Sequence, residues 1–165
     1  MRVREYGVSG LHVLLLHRGP GAPGYMAPVA RGLAPPFQIL EPLQGRSGGE
    51  PLTVARHVAD MNELIRSRCD GERPALVGSS WGAMLRLQED GTYPAAFSAI
   101  ESPVLMLHGA VDPHPGWMIR DGLQPQIPHL DYREWKECGH YPWWEAAVHQ
   151  EFFAVLHDWL VRNSC

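Results

Sequence analysis

Short apolar runs alternate with amphipathic stretches along this chain of 165 residues. The segments "LHVLLLH" (11–17), "FQILEP" (37–42), "PALVGS" (74–79) and "PVLMLHG" (103–109) have the length and continuity of buried strands. "RVREYG" near the beginning and "LDYREW" (130–135) instead alternate in polarity, as strands with one wet face do. The first of these predicts an edge strand. Between the strands lie helical patterns. "MAPVARGLA" (26–34) is a weak helix with Pro28 near its start, where proline is tolerated. "TVARHVADMNELIRSR" (53–68) sets Val54, Val58, Met61 and Ile65 on one face, with Thr53 as N-cap. "EAAVHQEFFAVLHDWL" (145–160) predicts a closing amphipathic helix. Strands alternating with helices predict the α/β class: a mostly parallel sheet of about five to six strands flanked by helices, in a single domain over 1–165.

Composition narrows the partners. Apolar residues make up 45% of the chain, enough for a core, and the 17 glycines and 15 prolines require many tight loops. Net charge is −4, Lys136 is the single lysine and the arginines are scattered. No basic stripe exists to neutralise a phosphate backbone, which argues against nucleic acid as a partner. The apolar runs are too short to span a bilayer, and "MRVREYGVSG" lacks the apolar core of a signal peptide. Cys69, Cys138 and Cys165 are an odd, widely spaced set that predicts neither a disulfide framework nor a zinc site and fits a reducing cytoplasm.

In parallel sheets of this kind ligands bind at the carboxyl ends of the strands. The chemically useful residues of this chain fall there. His17 to Gly24 follow the first buried strand, Ser79 and Ser80 the third, and His108 to Asp112 the fourth. His140 lies just beyond the last. Gly78-x-Ser80-x-Gly82 matches G-x-S-x-G, in which small flanking residues let a sharp turn lift a serine hydroxyl clear of the sheet. The following helix aims free N–H groups, here that of Trp81, at developing negative charge. The same letters also suit a plain Gly/Ser turn. Asp112 suits a turn before Pro113, and His140 a packing role. The order Ser80, Asp112, His140 at three element junctions favours a nucleophile, acid and base instead.

At these residues the chain resembles the α/β-hydrolases. "GSSWGAML", "VLMLHGAVD" and "CGHYPW" look like that superfamily's nucleophile, acid and histidine motifs, and "HRGPGAPGY" is similar to the HGGPG oxyanion loop of its proline iminopeptidase-like branch. The resemblance implies a reduced α/β-hydrolase core that forms an acyl-enzyme from small ester or amide substrates, with Ser80, Asp112 and His140 as triad. It implies oxyanion N–H groups from Trp81, Gly19 and Arg18. His17, Ser79 and Trp143 would border the substrate. No cofactor or metal is expected.

The chain departs from that pattern in three places. Arg18 stands where the branch has glycine, "LQGRSGG" (43–49) departs from its Gln-Arg-Gly-Ser order, and only 32 positions separate Ser80 from Asp112. That interval has no room for a cap and one core strand, but enough for a parallel crossover, so the triad is expected still to assemble. Surface left open by a missing cap could pair with a second copy, giving a homodimer. The shortened middle keeps a second reading open: a catalytically impaired remnant or binding module on the same frame.

Gly19-Pro20-Gly21-Ala22-Pro23-Gly24 also matches G-x-G-x-x-G, with Glu41 at the spacing of a ribose-binding acid. Pro20 and Pro23 have no N–H to offer a pyrophosphate, which ranks dinucleotide binding below hydrolysis. His108, Asp112 and His114 have a loosely metal-like spacing, with no helix or hairpin predicted to present them together.

Overall fold

The computed structural model describes residues 1–18, 24–43, 53–80 and 95–163. They divide between two compact units, residues 1–91 and 92–165. The helix expected after Ser80, most of the 43–49 stretch, Gly19 and the rest of the loop before Gly24 lie outside the described residues.

The first unit holds a four-stranded sheet. Its strands are β1 (Arg2–Tyr6), β2 (His12–Leu16), β3 (Gln38–Leu43) and β4 (Ala75–Gly78), in the order β1-β3-β2-β4. β2 runs parallel to both neighbours, Val13 facing Ile39 on one side and Ala75 on the other. β1 is the antiparallel edge, with Arg4 opposite Glu41. All five residues of β2 are buried, which is why this segment reads as a continuous apolar run. On one face Leu14, Leu16 and Leu40 pack with Met61, Leu64 and Cys69 from α2 (Val54–Arg68) and its end. Thr53 caps α2 as predicted, its Oγ1 accepting from the Arg56 N–H at 3.1 Å. The buried stripe of α2 is rotated from the predicted one: His57, Met61 and Leu64 are buried, and Val58 and Ile65 flank them. α1 (Ala27–Leu33) packs against β3 and buries Ala27, Val29, Ala30 and Leu33.

The second unit holds β5 (Val104–Gly109) and β6 (Leu130–Trp135), paired in parallel from Val104↔Leu130 to Gly109↔Trp135. Between them runs α3 (Gly116–Leu123), packed against both strands. The sequence pattern missed α3, whose approach holds Pro113, Pro115 and Gly116, residues that interrupt a helical pattern. A 3-10 turn at Pro142–Trp144 leads to α4 (His149–Arg162). α4 begins four residues later than its pattern, because Glu145 is held by the backbone of an earlier loop rather than by a helical turn. Its buried residues Phe152, Leu156 and Leu160 recur at a helical spacing. A 14-residue helix is marginal alone. Burial of these three side chains, at about 1.5–3 kcal/mol each, is what holds it.

Candidate active site

Chain direction puts the chemistry of each unit at its strand ends. In the first unit β4 stops at Gly78, and the Ser79 N–H reaches across to the Leu16 carbonyl at 3.2 Å, extending the ladder by one step. Ser79 is thereby buried, while Ser80 stands exposed with φ +52°. That left-handed backbone is uncommon for a residue with a Cβ and costs about 1–2 kcal/mol. The G-x-S-x-G spacing calls for a sharp turn at this position. His17, at the end of β2, is fully buried and its Nδ1–H donates to the Arg18 carbonyl at 3.1 Å. The Arg18 guanidinium lies 4.6 Å from the centre of the Tyr25 ring, a cation–π contact. Trp81 and Gly19 lie outside the described residues.

Glu41 is fully buried in β3. Its Oε2 accepts from the Tyr6 hydroxyl at 3.0 Å and lies 3.9 Å from Arg4 Nη1. Both partners come from the edge strand β1. Burial, then the Glu41 charge, pushes the Tyr6 phenol above its ordinary value.

In the second unit the ends of β5 and β6 carry two turns that close on each other. The Ala110 and Val111 N–H groups donate to the Trp135 and Cys138 carbonyls, both at 2.9 Å. Gly109 allows this approach: a Cβ there would lie 2.2 Å from the Cys138 and Gly139 carbonyl oxygens. Asp112 follows on the acid turn and is buried; His140 follows on the other and is half-buried. The His140 Nδ1–H donates to Asp112 Oδ2 at 2.5 Å. In the neutral ring this bond puts the proton on Nδ1 and the lone pair on Nε2, the form a general base needs. The loop before His140 is held from behind, since both oxygens of Glu145 accept from the Gly139 N–H, at 2.8 and 2.9 Å.

Two further histidines meet Asp112. Its Oδ1 accepts from the His114 N–H at 2.9 Å and from the His114 ring Nδ1–H at 3.0 Å. His108 places Nε2 at 3.7 Å from Oδ2 while its Nδ1–H donates to the Gly109 carbonyl at 2.9 Å. Burial by itself would raise the Asp112 pKa; the hydrogen bonds from the His114 backbone, His140 and the His114 ring outweigh it and hold the carboxyl below its ordinary value. His114 was visible in the sequence only as part of a loose His-Asp-His spacing. Its bond to Asp112 depends on the turn through Pro113, which brings its backbone and ring to the same oxygen. Trp143 is buried between Tyr141 and Phe152, with ring centres 5.7 and 5.9 Å away, and its neighbour Trp144 is exposed.

Thus the structure joins Asp112 to His140 within one unit, and sets Ser79 and Ser80 beside the end of β2 within the other. No protein-family model matches the chain, and no curated protein is similar to it in sequence. Solved structures are similar in fold. An α/β-hydrolase enzyme from a sediment metagenome of the Mar Chica lagoon, Morocco, is 16% identical, with a TM-score of 0.77 over 99% of this chain and 95% of that one. A lidless α/β serine hydrolase from Xanthomonas campestris is 16% identical, with a TM-score of 0.70 over 97% and 88%. An esterase from Pyrococcus furiosus is 17% identical, with a TM-score of 0.69 over 93% and 82%. The chain has the α/β-hydrolase fold. Among the described residues, no helix is long and apolar enough to cross a membrane.

Proposed function

We propose that this protein is a serine hydrolase of small ester or amide substrates, with Ser80 as nucleophile, His140 as base and Asp112 as the group that orients the histidine. The observation that carries the reading is the His140–Asp112 hydrogen bond at 2.5 Å, made through Nδ1. Ser80 Oγ attacks the substrate carbonyl as His140 Nε2 takes its proton, and Asp112 stabilises the imidazolium. The collapsing tetrahedral intermediate expels the alcohol or amine, which takes the proton back from His140 and leaves an acyl-Ser80 ester. Water, deprotonated by the same nitrogen, then releases the acid. Backbone N–H groups of Trp81, Gly19 and Arg18 stabilise the oxyanion in this reading.

The left-handed Ser80 at a strand end supports the nucleophile's role, and the fold shared with a lidless serine hydrolase and an esterase supports an open site for simple esters. The iminopeptidase-like loop motif favours a peptide-like amide as the second substrate class. The protein acts in the cytoplasm, without a cofactor, as a monomer or a homodimer. Labelling with a fluorophosphonate probe tests the proposal. Covalent modification of the folded protein that vanishes in Ser80→Ala supports the enzyme. A folded protein that never labels identifies an inactive remnant or binding module.

A further inference from the structure

Asp112 collects more histidines than a catalytic acid uses. A triad needs one imidazole on the acid; here His140 occupies Oδ2, His114 occupies Oδ1, and His108 turns Nε2 toward Oδ2 at 3.7 Å. Ligand atoms of Asp112, His114 and His140 all lie within 4.8 Å of one another. Two ligands on a tetrahedral ion with bonds of about 2.0–2.2 Å are ~3.4 Å apart, so small side-chain shifts bring the three onto one ion. The His114 side chain is 74% exposed and free to make that shift, while Asp112 is anchored by a backbone N–H. Among the described residues this is the group with such spacing. The sequence offered only the loose His108, Asp112 and His114 spacing; His140, the third member, arrives from 28 positions away.

We propose that Asp112, His114 and His140 form a binding site for a first-row dication of the Zn²⁺ type, and that occupancy switches off His140 as a base. Two imidazoles and one carboxylate are the donor set such ions favour, with a remaining position open to water. To bind the ion, each imidazole offers the Nδ1 lone pair and carries its proton on Nε2 instead. For His140 that tautomer is the wrong one: Nε2, now protonated, cannot accept the proton of a nucleophile. The ion also takes the Asp112 charge away from the imidazolium it would stabilise.

The inhibitory half rests on the proposed hydrolase reading; the binding half does not. Chelator-treated protein is titrated with zinc chloride by calorimetry, and with cobalt chloride while the visible absorption is followed. Wild type should bind about one ion per chain. His114→Ala and His140→Gln should each weaken that binding by about 10- to 100-fold or more, since even second-shell partners of ligands cost that much. His129→Ala, at a histidine that donates to the Ser102 carbonyl instead, should bind like wild type. Absence of saturable binding, or binding unaffected by His114→Ala, overturns the proposal. The exposure of His114 makes loss of folding an unsuitable explanation for its variant. Should the protein hydrolyse esters, zinc should suppress that activity and chelator should restore it. Stoichiometric zinc binding to a protein that never labels with fluorophosphonate would leave the metal site standing and refute the hydrolase.

Discussion

The imidazole of His140 donates through Nδ1 to Asp112 Oδ2 at 2.5 Å, although 28 positions separate the two residues. The parallel register of β5 and β6 sets their distance, by bringing Gly109 opposite Trp135 and so placing the two following turns side by side. Asp112→Asn keeps the size of the side chain but presents an amide N–H where the imidazole needs an acceptor. If hydrolysis runs as proposed, kcat on an activated ester should fall by about 10⁴-fold with little change in KM. Steady-state kinetics on protein of unchanged circular dichroism checks this.

Ser80 holds a left-handed backbone at φ +52°. Glycine there removes a conformational cost of about 1–2 kcal/mol and adds unfolded-state entropy of about 0.5–1 kcal/mol. Ser80→Gly should therefore be about 0.5–1 kcal/mol more stable than Ser80→Ala, with both variants failing to label. Urea unfolding of the pair measures the difference.

Gly109 lies where the acid turn meets the histidine turn. A Cβ 2.2 Å from two carbonyl oxygens forces the turns apart, and backbone cannot swing aside as a flexible side chain could. Gly109→Ala should lose about 1–3 kcal/mol of stability, the usual range for overpacking, and should lengthen the Asp112–His140 bond. Urea unfolding reads the first effect, and the His140 ring-proton shift in NMR the second.

Asp112 is the buried carboxyl whose folded-state pKa is held below the ordinary value of 3.8. Below that value the unfolded chain binds more protons than the folded one, so stability rises with pH there. Its contribution is complete above about pH 5 and is lost as the pH falls through the folded-state value. Asp112→Asn should flatten that part of the acid limb. Thermal midpoints measured across that limb for both proteins test the sign.

The sequence alone marked out the six strands of the described residues, because each is either a continuous apolar run or an alternation in polarity, and it placed the Thr53 cap. It also singled out Ser80 over Ser79, since only Ser80 fits G-x-S-x-G. Helix α3 escaped it. Prolines and Gly116 open that helix, and Trp117, Met118 and Ile119 are exposed, so the apolar residues there record no buried stripe.

Order along the chain suggested that Asp112 and His140 belong together, but their contact is a property of strand register, which no local pattern encodes. His114 reaches Asp112 by a local turn instead. Spacing offered it as one of several loose histidines, and only the turn through Pro113 delivers both its backbone and its ring to Asp112 Oδ1. Local chemistry, set by residue type and periodicity, was thus readable from the letters. That His140 joins His114 on one carboxylate was decided by tertiary structure, because it needs two distant turns held a hydrogen bond apart.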